Sequence, residues 1–546
     1  MSISNGSSFF IIGNKISLNL GRSMVKIVIG NVYSKIVGRI PDVVNIELDR
    51  VMSYFIPSAH YAIEANKKKY GNKNPWDGSV HLYFVNGQSF YTGLLSLVRD
   101  VFDTYKVQYE KVDRRSMPQQ NFPELTFTAP PKFEDRDYQN FTIDRSLKFT
   151  RGILEVCTGG GKTMIVTRLI EKIKTYPFVF YVLTKDLMEQ AYENLSSCLN
   201  CPIGRIGDGR VDIQKITVCT IQTAIRALHK NDTKFKINDY VFDTDDKWNE
   251  KSLKDANNTD KIKRLIGMAK GIYFDECHHA AAKTVKEVLA ASENAFWRYG
   301  GSATPYREDN ADLVIQAMFG GKIVDIKASY LIKRGYLLPP HIFIEPIDSN
   351  HGYKSWKKIY KTSIADNELL HAHVAKTANH LVERGLSVLV LVQQYSHGDY
   401  LKKIINGAKF ITGRDKTKVR SQALQDLRDK KLKCLIATSL ADEGLDVPCL
   451  DVAILAGGGA SATRVNQRIG RTIRKSKLLD ARDKSVVIIY DHYKTKYLQE
   501  HTKKIRKILK REEEFIVKDS NGPDFILDEI DKTLGIETHR DNIFDV

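Results

Sequence analysis

Cysteine is scarce and odd in number, seven in 546 residues, which excludes a disulfide framework. Cys198 and Cys201 form a single CxxC pair, and no second pair supplies the two further ligands a zinc site would need. Long apolar runs are missing too. Stretches such as Val388 to Val392 reach about five residues, against the roughly 20 that a bilayer-crossing helix requires, so no membrane partner is expected. Met1 to Ser8 carry no Lys or Arg ahead of the apolar Phe9 to Ile12. The charged start of a secretory signal is therefore lacking, and an intracellular location, cytoplasmic or nucleoid-associated, is expected. No internal repeat of motif length occurs, which removes repeat arrays.

What the chain has in excess is positive charge: 83 Lys and Arg against 65 Asp and Glu, a net +18. That balance favours a polyanionic partner, nucleic acid ahead of an anionic membrane surface. Hydrophobic residues at 42% and charged residues at 27% are ordinary for a folded globular chain and exclude wholesale disorder. The length suits three or four domains.

From about Met24 to Leu125 apolar and polar residues alternate, and Asn86-Gly87 between Val80 to Val85 and a run from Ser89 predicts a tight hairpin. From Arg136 to Phe319 short apolar strands (Ile153 to Val156, Phe178 to Leu183, Ile216 to Val218, Ile272 to Phe274) alternate with helical stretches, the signature of a parallel sheet. A second such set comprises Val388 to Val392, Cys434 to Ala437, Val452 to Leu455 and Val486 to Tyr490. The expected fold class is α/β, with two tandem parallel-sheet lobes and a small α+β N-terminal domain. Residues 1–125 form an accessory nucleic-acid-binding domain, 126–330 the first lobe, 331–500 the second, and 501–546 a C-terminal basic helix and tail. Leu331 to Pro340 ends in a proline pair suited to a hinge, and residues 229–263 are polar enough to read as a surface insertion. Tyr497 to Arg511 reads as a basic helix ahead of a more acidic tail.

Thr158-Gly159-Gly160-Gly161-Lys162-Thr163 follows the strand Ile153 to Val156 and precedes a helix. Glycines let backbone N–H groups approach phosphate oxygens, Lys162 would reach the β and γ phosphates, and Thr163 would hold Mg²⁺. Val156 stands where the strict pattern has its first Gly, and a Gly-rich surface turn is the bland alternative. Asp275-Glu276 ends a buried strand, where ligands sit in open α/β sheets; Asp275 could hold the metal and Glu276 orient water, unless the pair merely caps the next helix. The neighbouring Cys277, His278 and His279 invite a metal reading, but adjacent residues of an extended segment point to opposite faces. Arg468, Arg471 and Arg474 recur every three residues and share one helix face, so Arg471 and Arg474 are candidate arginine fingers or else part of a solvated basic helix. Lys73 and Trp76, with Lys67 to Tyr70, pair phosphate-neutralising charge with rings that stack on bases, although Trp76 suits a core position equally well.

In order along the chain, these motifs resemble the helicase core of superfamily 2 over about Phe133 to Asp491, which implies two RecA-like lobes closing on ATP with Mg²⁺. The resemblance makes Gln139 of Arg136-Asp137-Tyr138-Gln139 an adenine sensor and Gly301-Ser302-Ala303-Thr304-Pro305 the motif coupling ATP state to nucleic-acid grip. It places Gly444 and Asp446 near nucleotide, and Thr438, Thr184, Thr220, Gln222 and Gln393 near the strand. Arg307-Glu308-Asp309 is similar to the RED triplet of XPB-type helicases, with Arg307 toward nucleic acid, and Trp76-Asp77-Gly78 resembles the front domain of phage UvsW-type helicases. The function so implied is an ATP-dependent DNA helicase or translocase that remodels branched intermediates in recombination, repair or replication restart. Its partner is DNA, single-stranded, duplex or branched, with RNA or an RNA–DNA hybrid as alternatives. Two other readings stay open: a double-strand translocase or annealing motor without net unwinding, and an ATP-switched nucleic-acid-binding scaffold. No nuclease or methyltransferase constellation supports a restriction-type motor subunit.

Overall fold

The computed structural model describes residues 24–56, 59–60, 63–64, 76–131, 133–230, 257–305, 311–349, 355–438, 450–458, 469–470 and 485–535. The first lobe is an eight-stranded sheet in the order Arg210–Asp212, Ile203–Gly207, Ile216–Thr220, Phe178–Val182, Gly271–Asp275, Trp297–Ser302, Arg151–Val156, Lys322–Ile326, parallel except for its first edge strand. Phe178–Val182 and Ile216–Thr220 are buried at every position, as strands covered by helices on both faces must be. The polar insertion expected at 229–263 gives way at its C-terminal end to a helix, Asn258–Met268, capped by the Asn257 side chain; residues 231–256 lie outside the described residues.

The second lobe is a seven-stranded, wholly parallel sheet in the order Lys409–Ile411, Cys434–Ala437, Val388–Leu391, Val452–Leu455, Ser485–His492, Pro340–Ile347, Ile516–Asp519. Pro340, expected in a hinge, is the first residue of a strand, a position where a missing N–H is tolerated. The basic stretch is the helix Lys496–Leu509, and beyond it the chain returns to pair Ile516–Asp519 with Pro340–Ile347 and to pack Pro523–Leu534 on Glu368–Glu383. Alternation is weak in this short edge strand, which is why charge composition alone reads it as tail.

The front domain is a five-stranded sheet, Tyr83–Phe84, Ser89–Tyr91, Tyr33–Val37, Val25–Ile29, Tyr109–Asp113, with the helices Asp42–Val51 and Leu95–Thr104. The hairpin forms, Phe84 opposite Ser89, but the run from Val80 divides: Ser79–His81 pairs with Ser53–Phe55 instead. The left-handed residue of the turn is Gln88, with φ 46°, rather than Gly87.

This domain shares a continuous core with the first lobe, in which Leu94 and Val98 join Val314, Ile315 and Phe319. Gly93 sits so close to the helix Asp312–Phe319 that a Cβ there would lie 2.0 Å from the Gln316 carbonyl oxygen and 2.5 Å from that of Ala317. Arg151 donates to the carbonyls of Asn31 (3.1 Å) and Phe319 (3.3 Å), bridging the same seam. Gly93→Leu should therefore cost about 1–3 kcal/mol by overpacking. Calorimetry of the full chain would show a lower midpoint with an early transition for the front domain; an unshifted single transition would refute the tight seam.

Candidate active site

The strand Arg151–Val156 runs through Cys157 to Gly161 into the helix Lys162–Ile173. Gly159 and Gly161 hold φ of 85° and 77°, a region costly for other residues. The helix Asp137–Phe149 braces this loop, the Tyr138 hydroxyl donating to the Gly160 carbonyl at 2.9 Å. Beside it Gln139 is 3% exposed, and its Oε1 has no hydrogen-bond partner among the described residues. A buried amide oxygen without a donor fits a base carrying an exocyclic amino group, so the residues present suit adenine. A Cβ on Gly161 would come within 2.7 Å of Gln139 Nε2, so the Gln139 amide and the glycine loop are in direct contact. Lys162 Nζ lies 3.4 Å from the Val156 carbonyl, folded back over the loop, and Thr163 occupies the first turn of the helix.

Parallel register carries the acid pair to the same sheet edge: Asp275 is aligned with Gly301, and Gly301 with Leu154. Glu276 adopts φ 54°, unusual for a residue with a side chain, which turns its carboxylate toward the next strand end. There Ser302 Oγ donates to Glu276 Oε2 at 3.1 Å. The same oxygen lies 3.1 Å from His278 Nδ1 and accepts from the Thr304 N–H at 3.2 Å. Because the hydroxyl has one proton and gives it to Glu276, the Nδ1–H of His278 donates to Ser302, and the hydroxyl is saturated. The segment Cys277–Ala281 is a 3₁₀ turn and not extended, so the His278 and His279 rings lie 4.1 Å apart, tilted by 41°, where alternation was expected to separate them.

Burial pushes the Asp275 carboxyl up, and the Glu276 charge adds to this against a weaker pull from Lys162. Burial pushes Glu276 up as well, but Lys162, His278 and Ser302 outweigh it and hold it below the usual carboxylate range. The negative charge of the pair thus resides on Glu276, which has the better donors. A group with a depressed pKa loses its ionised form only as pH falls through that lowered value. His278→Ala removes one stabilising partner, so the acid limb of ATP turnover should move to higher pH; a pH–rate profile superimposable on wild type would exclude this coupling.

Of the remaining sequence candidates, Thr184, Thr220, Gln222, Gln393 and Thr438 sit at or just beyond the C-terminal ends of parallel strands. Thr184 caps the helix Lys185–Cys198, accepting from the Leu187 N–H at 3.3 Å. Thr220 is buried and bonds Thr223 Oγ1 at 2.9 Å, while Gln222 is exposed on the next turn. In the second lobe Gln393 Nε2 donates to the Gly458 carbonyl at 2.9 Å, and Thr438 is buried at the end of Cys434–Ala437. Trp76 donates to the Ser79 carbonyl at 2.8 Å and is half-buried. Lys73, Arg307, Gly444, Asp446, Arg471 and Arg474 lie outside the described residues.

Three features escaped sequence reasoning: Tyr138 as a brace, His278 as a partner of Glu276, and Gly470. The first two adjoin selected residues, but only the backbone turn shows where they point. Gly470, inside the arginine-bearing motif, lies against the phosphate loop, since a Cβ there would be 2.4 Å from Thr158 Cβ. Arg420 and Asp186 make a second contact between the lobes at 2.8 Å.

Two parallel-sheet lobes meeting over a glycine-rich strand–loop–helix turn give the chain the two-lobed architecture of the RecA-like class. Residues 132–307 match the family described as type III restriction enzyme, res subunit, and residues 370–476 the helicase conserved C-terminal domain. The chain belongs to the superfamily 2 helicases of XPB/UvsW-like type. It is 28% identical over 374 residues to putative helicase 22 of Sulfolobus islandicus filamentous virus, matching 63% of this chain and 62% of that one. It is 23% identical over 445 residues to DNA 3'-5' translocase XPB2 of Sulfurisphaera tokodaii, 73% of this chain and 90% of that one. With ATP-dependent DNA helicase uvsW of Enterobacteria phage T4 the identity is 24% over 214 residues, 37% and 42% of the two chains. The chain thus spans less than two thirds of the viral helicase's length. Among the described residues no helix is long and apolar enough to cross a membrane.

Proposed function

We propose that this chain is an ATP-driven DNA motor, a helicase or translocase that remodels branched intermediates in recombination, repair or replication restart. The observation that carries the reading is the Glu276–Ser302 hydrogen bond beneath a phosphate loop touched by Gly470 of the other lobe. Such a link joins the water-orienting carboxylate to the strand end where the first lobe meets its track, so hydrolysis and grip share an atom-to-atom path. Gln139 receives the adenine, Gly159 to Gly161 present N–H groups to the phosphates, and Lys162 neutralises their charge. Asp275 and Thr163 would hold Mg²⁺, which neutralises charge developing on the transferred phosphoryl group. Glu276, kept ionised, orients the attacking water. Arg471 and Arg474, which follow Gly470 in the sequence, are assigned the role of arginine fingers that stabilise the transferred charge. Thr184, Thr220, Gln222, Gln393 and Thr438, at or just beyond the ends of parallel strands, are assigned as track contacts; the same role falls by motif to Arg307, Lys73 and Trp76, and a nucleotide role to Gly444 and Asp446.

The test is ATP hydrolysis without polynucleotide and with single-stranded DNA, duplex, fork, Holliday junction and RNA, followed by strand displacement on the stimulating substrate. Stimulation by branched DNA with displacement supports the proposal. Stimulation by duplex without displacement indicates a translocase or annealing motor, and binding without stimulated turnover indicates a switched scaffold.

A further inference from the structure

The basic helix Lys496–Leu509 at the end of the second lobe is not among the residues assigned above to the nucleotide site, and it meets an aromatic cluster on the same lobe. The short helix Trp356–Tyr360 packs against Lys496–Leu509 so that the Trp356 ring lies 5.2 Å from both Tyr497 and His501, and 5.6 Å from Tyr360. Trp356 is 39% exposed and Tyr497 51% exposed. Rings of that size left this open are unexpected in a core and expected on a stacking platform.

Charge surrounds the rings. Lys357, Lys358 and Lys361 are exposed on one side, and Lys496, Lys503 and Lys507 on the other. The carboxylates nearby are few, and two already face lysines: Glu500 pairs with Lys503 at 2.8 Å, and Asp366 lies 3.9 Å from Lys361. The helix turns its apolar side, Leu498, Ile505 and Leu509, into the lobe, so these lysines are a surface that the core does not require. The patch also connects to a proposed track contact. The Tyr360 hydroxyl donates to the Gly457 carbonyl at 2.7 Å, and Gln393 donates to the Gly458 carbonyl next to it.

We infer that Trp356, Tyr497 and the flanking lysines form a second nucleic-acid contact on the exposed surface of the second lobe around the helix Lys496–Leu509, which holds an unpaired strand by base stacking and phosphate neutralisation. Interleaved rings and ammonium groups suit a flexible polyanion whose bases are free to stack, so the occupant is single-stranded nucleic acid rather than duplex. On a branched substrate this would be the strand leaving the motor. The inference rests on the DNA-motor reading above and names where that motor retains its displaced strand.

The experiment compares the full chain with Trp356→Ala/Tyr497→Ala, Trp356→Phe, and Lys357→Gln/Lys358→Gln/Lys361→Gln. Binding of a fluorescein-labelled oligo(dT) and a blunt duplex is read by anisotropy across a salt series. The double aromatic variant should bind oligo(dT) at least about 10-fold more weakly, since stacking contributes roughly 1–3 kcal/mol per base, with duplex affinity and ATP turnover without polynucleotide unchanged. Trp356→Phe should keep the affinity but lose the part of the tryptophan quenching that oligo(dT) causes in wild type. The lysine variant should flatten the salt dependence. Unchanged oligo(dT) affinity in the aromatic variant, or equal losses for oligo(dT) and duplex, would overturn the inference. Failure of the motor reading is scored separately, as DNA-stimulated hydrolysis surviving in Glu276→Gln.

Discussion

Glu276→Gln is expected to reduce ATP turnover by roughly 10²–10⁴-fold, the usual worth of a positioned acid–base group, while ATP still binds. The substitution preserves shape, so the Ser302 hydroxyl keeps an acceptor in place, and it removes only the charge that Lys162, His278 and Ser302 sustain. Gln139, the glycine loop and Lys162 remain to hold the nucleotide. The check is a pair of measurements on one preparation: steady-state phosphate release with stimulating DNA, and titration with a fluorescent ATP analogue. Turnover near the wild-type rate would remove Glu276 from the mechanism.

Lys162→Ala should fail in the opposite order, losing nucleotide affinity first. The ammonium group has two roles here: it is the proposed ligand of the phosphates, and it is the cation that pulls both Asp275 and Glu276 downward. Removing one preorganised charge contact of this kind costs about 10²–10³ in rate. In addition, Glu276 should rise toward the value that burial alone would impose, so whatever turnover remains should have its acid limb at higher pH. Titration of Lys162→Ala and Glu276→Gln with the same analogue separates the roles. Wild-type affinity in Lys162→Ala would show that the ammonium is not a phosphate ligand.

Much of this architecture was readable beforehand because apolar pattern and physical environment agree. Phe178–Val182 and Cys434–Ala437 are apolar at nearly every position and are buried on both faces, so the parallel sheets could be anticipated. The strand Trp297–Ser302 could not. Its sequence, Trp-Arg-Tyr-Gly-Gly-Ser, reads as loop, yet all six positions are buried. Arg298 is 1% exposed there because the carbonyls of Leu289 (2.6 Å) and Ser292 (2.8 Å) satisfy its guanidinium. Gly301 is demanded by Tyr273, whose hydroxyl oxygen would lie 1.9 Å from a Cβ. Such requirements are set by neighbours distant in sequence and leave no periodicity. The site divides in the same way: the phosphate loop and acid pair are local in sequence and stood out, whereas the Ser302–His278 arrangement depends on a left-handed residue and a 3₁₀ turn.

The seam around Gly93 also bears on how force is delivered. A front domain hung on a flexible tether could be dragged, or could search for a fork independently of the engine. Here it is fused to the helix Asp312–Phe319, which lies just beyond the strand end bearing Ser302, and Arg151 pins it to the strand that feeds the phosphate loop. If the chain is the motor proposed above, front domain and first lobe would act as one body. A displacement of the second lobe would then be delivered against that joint body without slack at the seam.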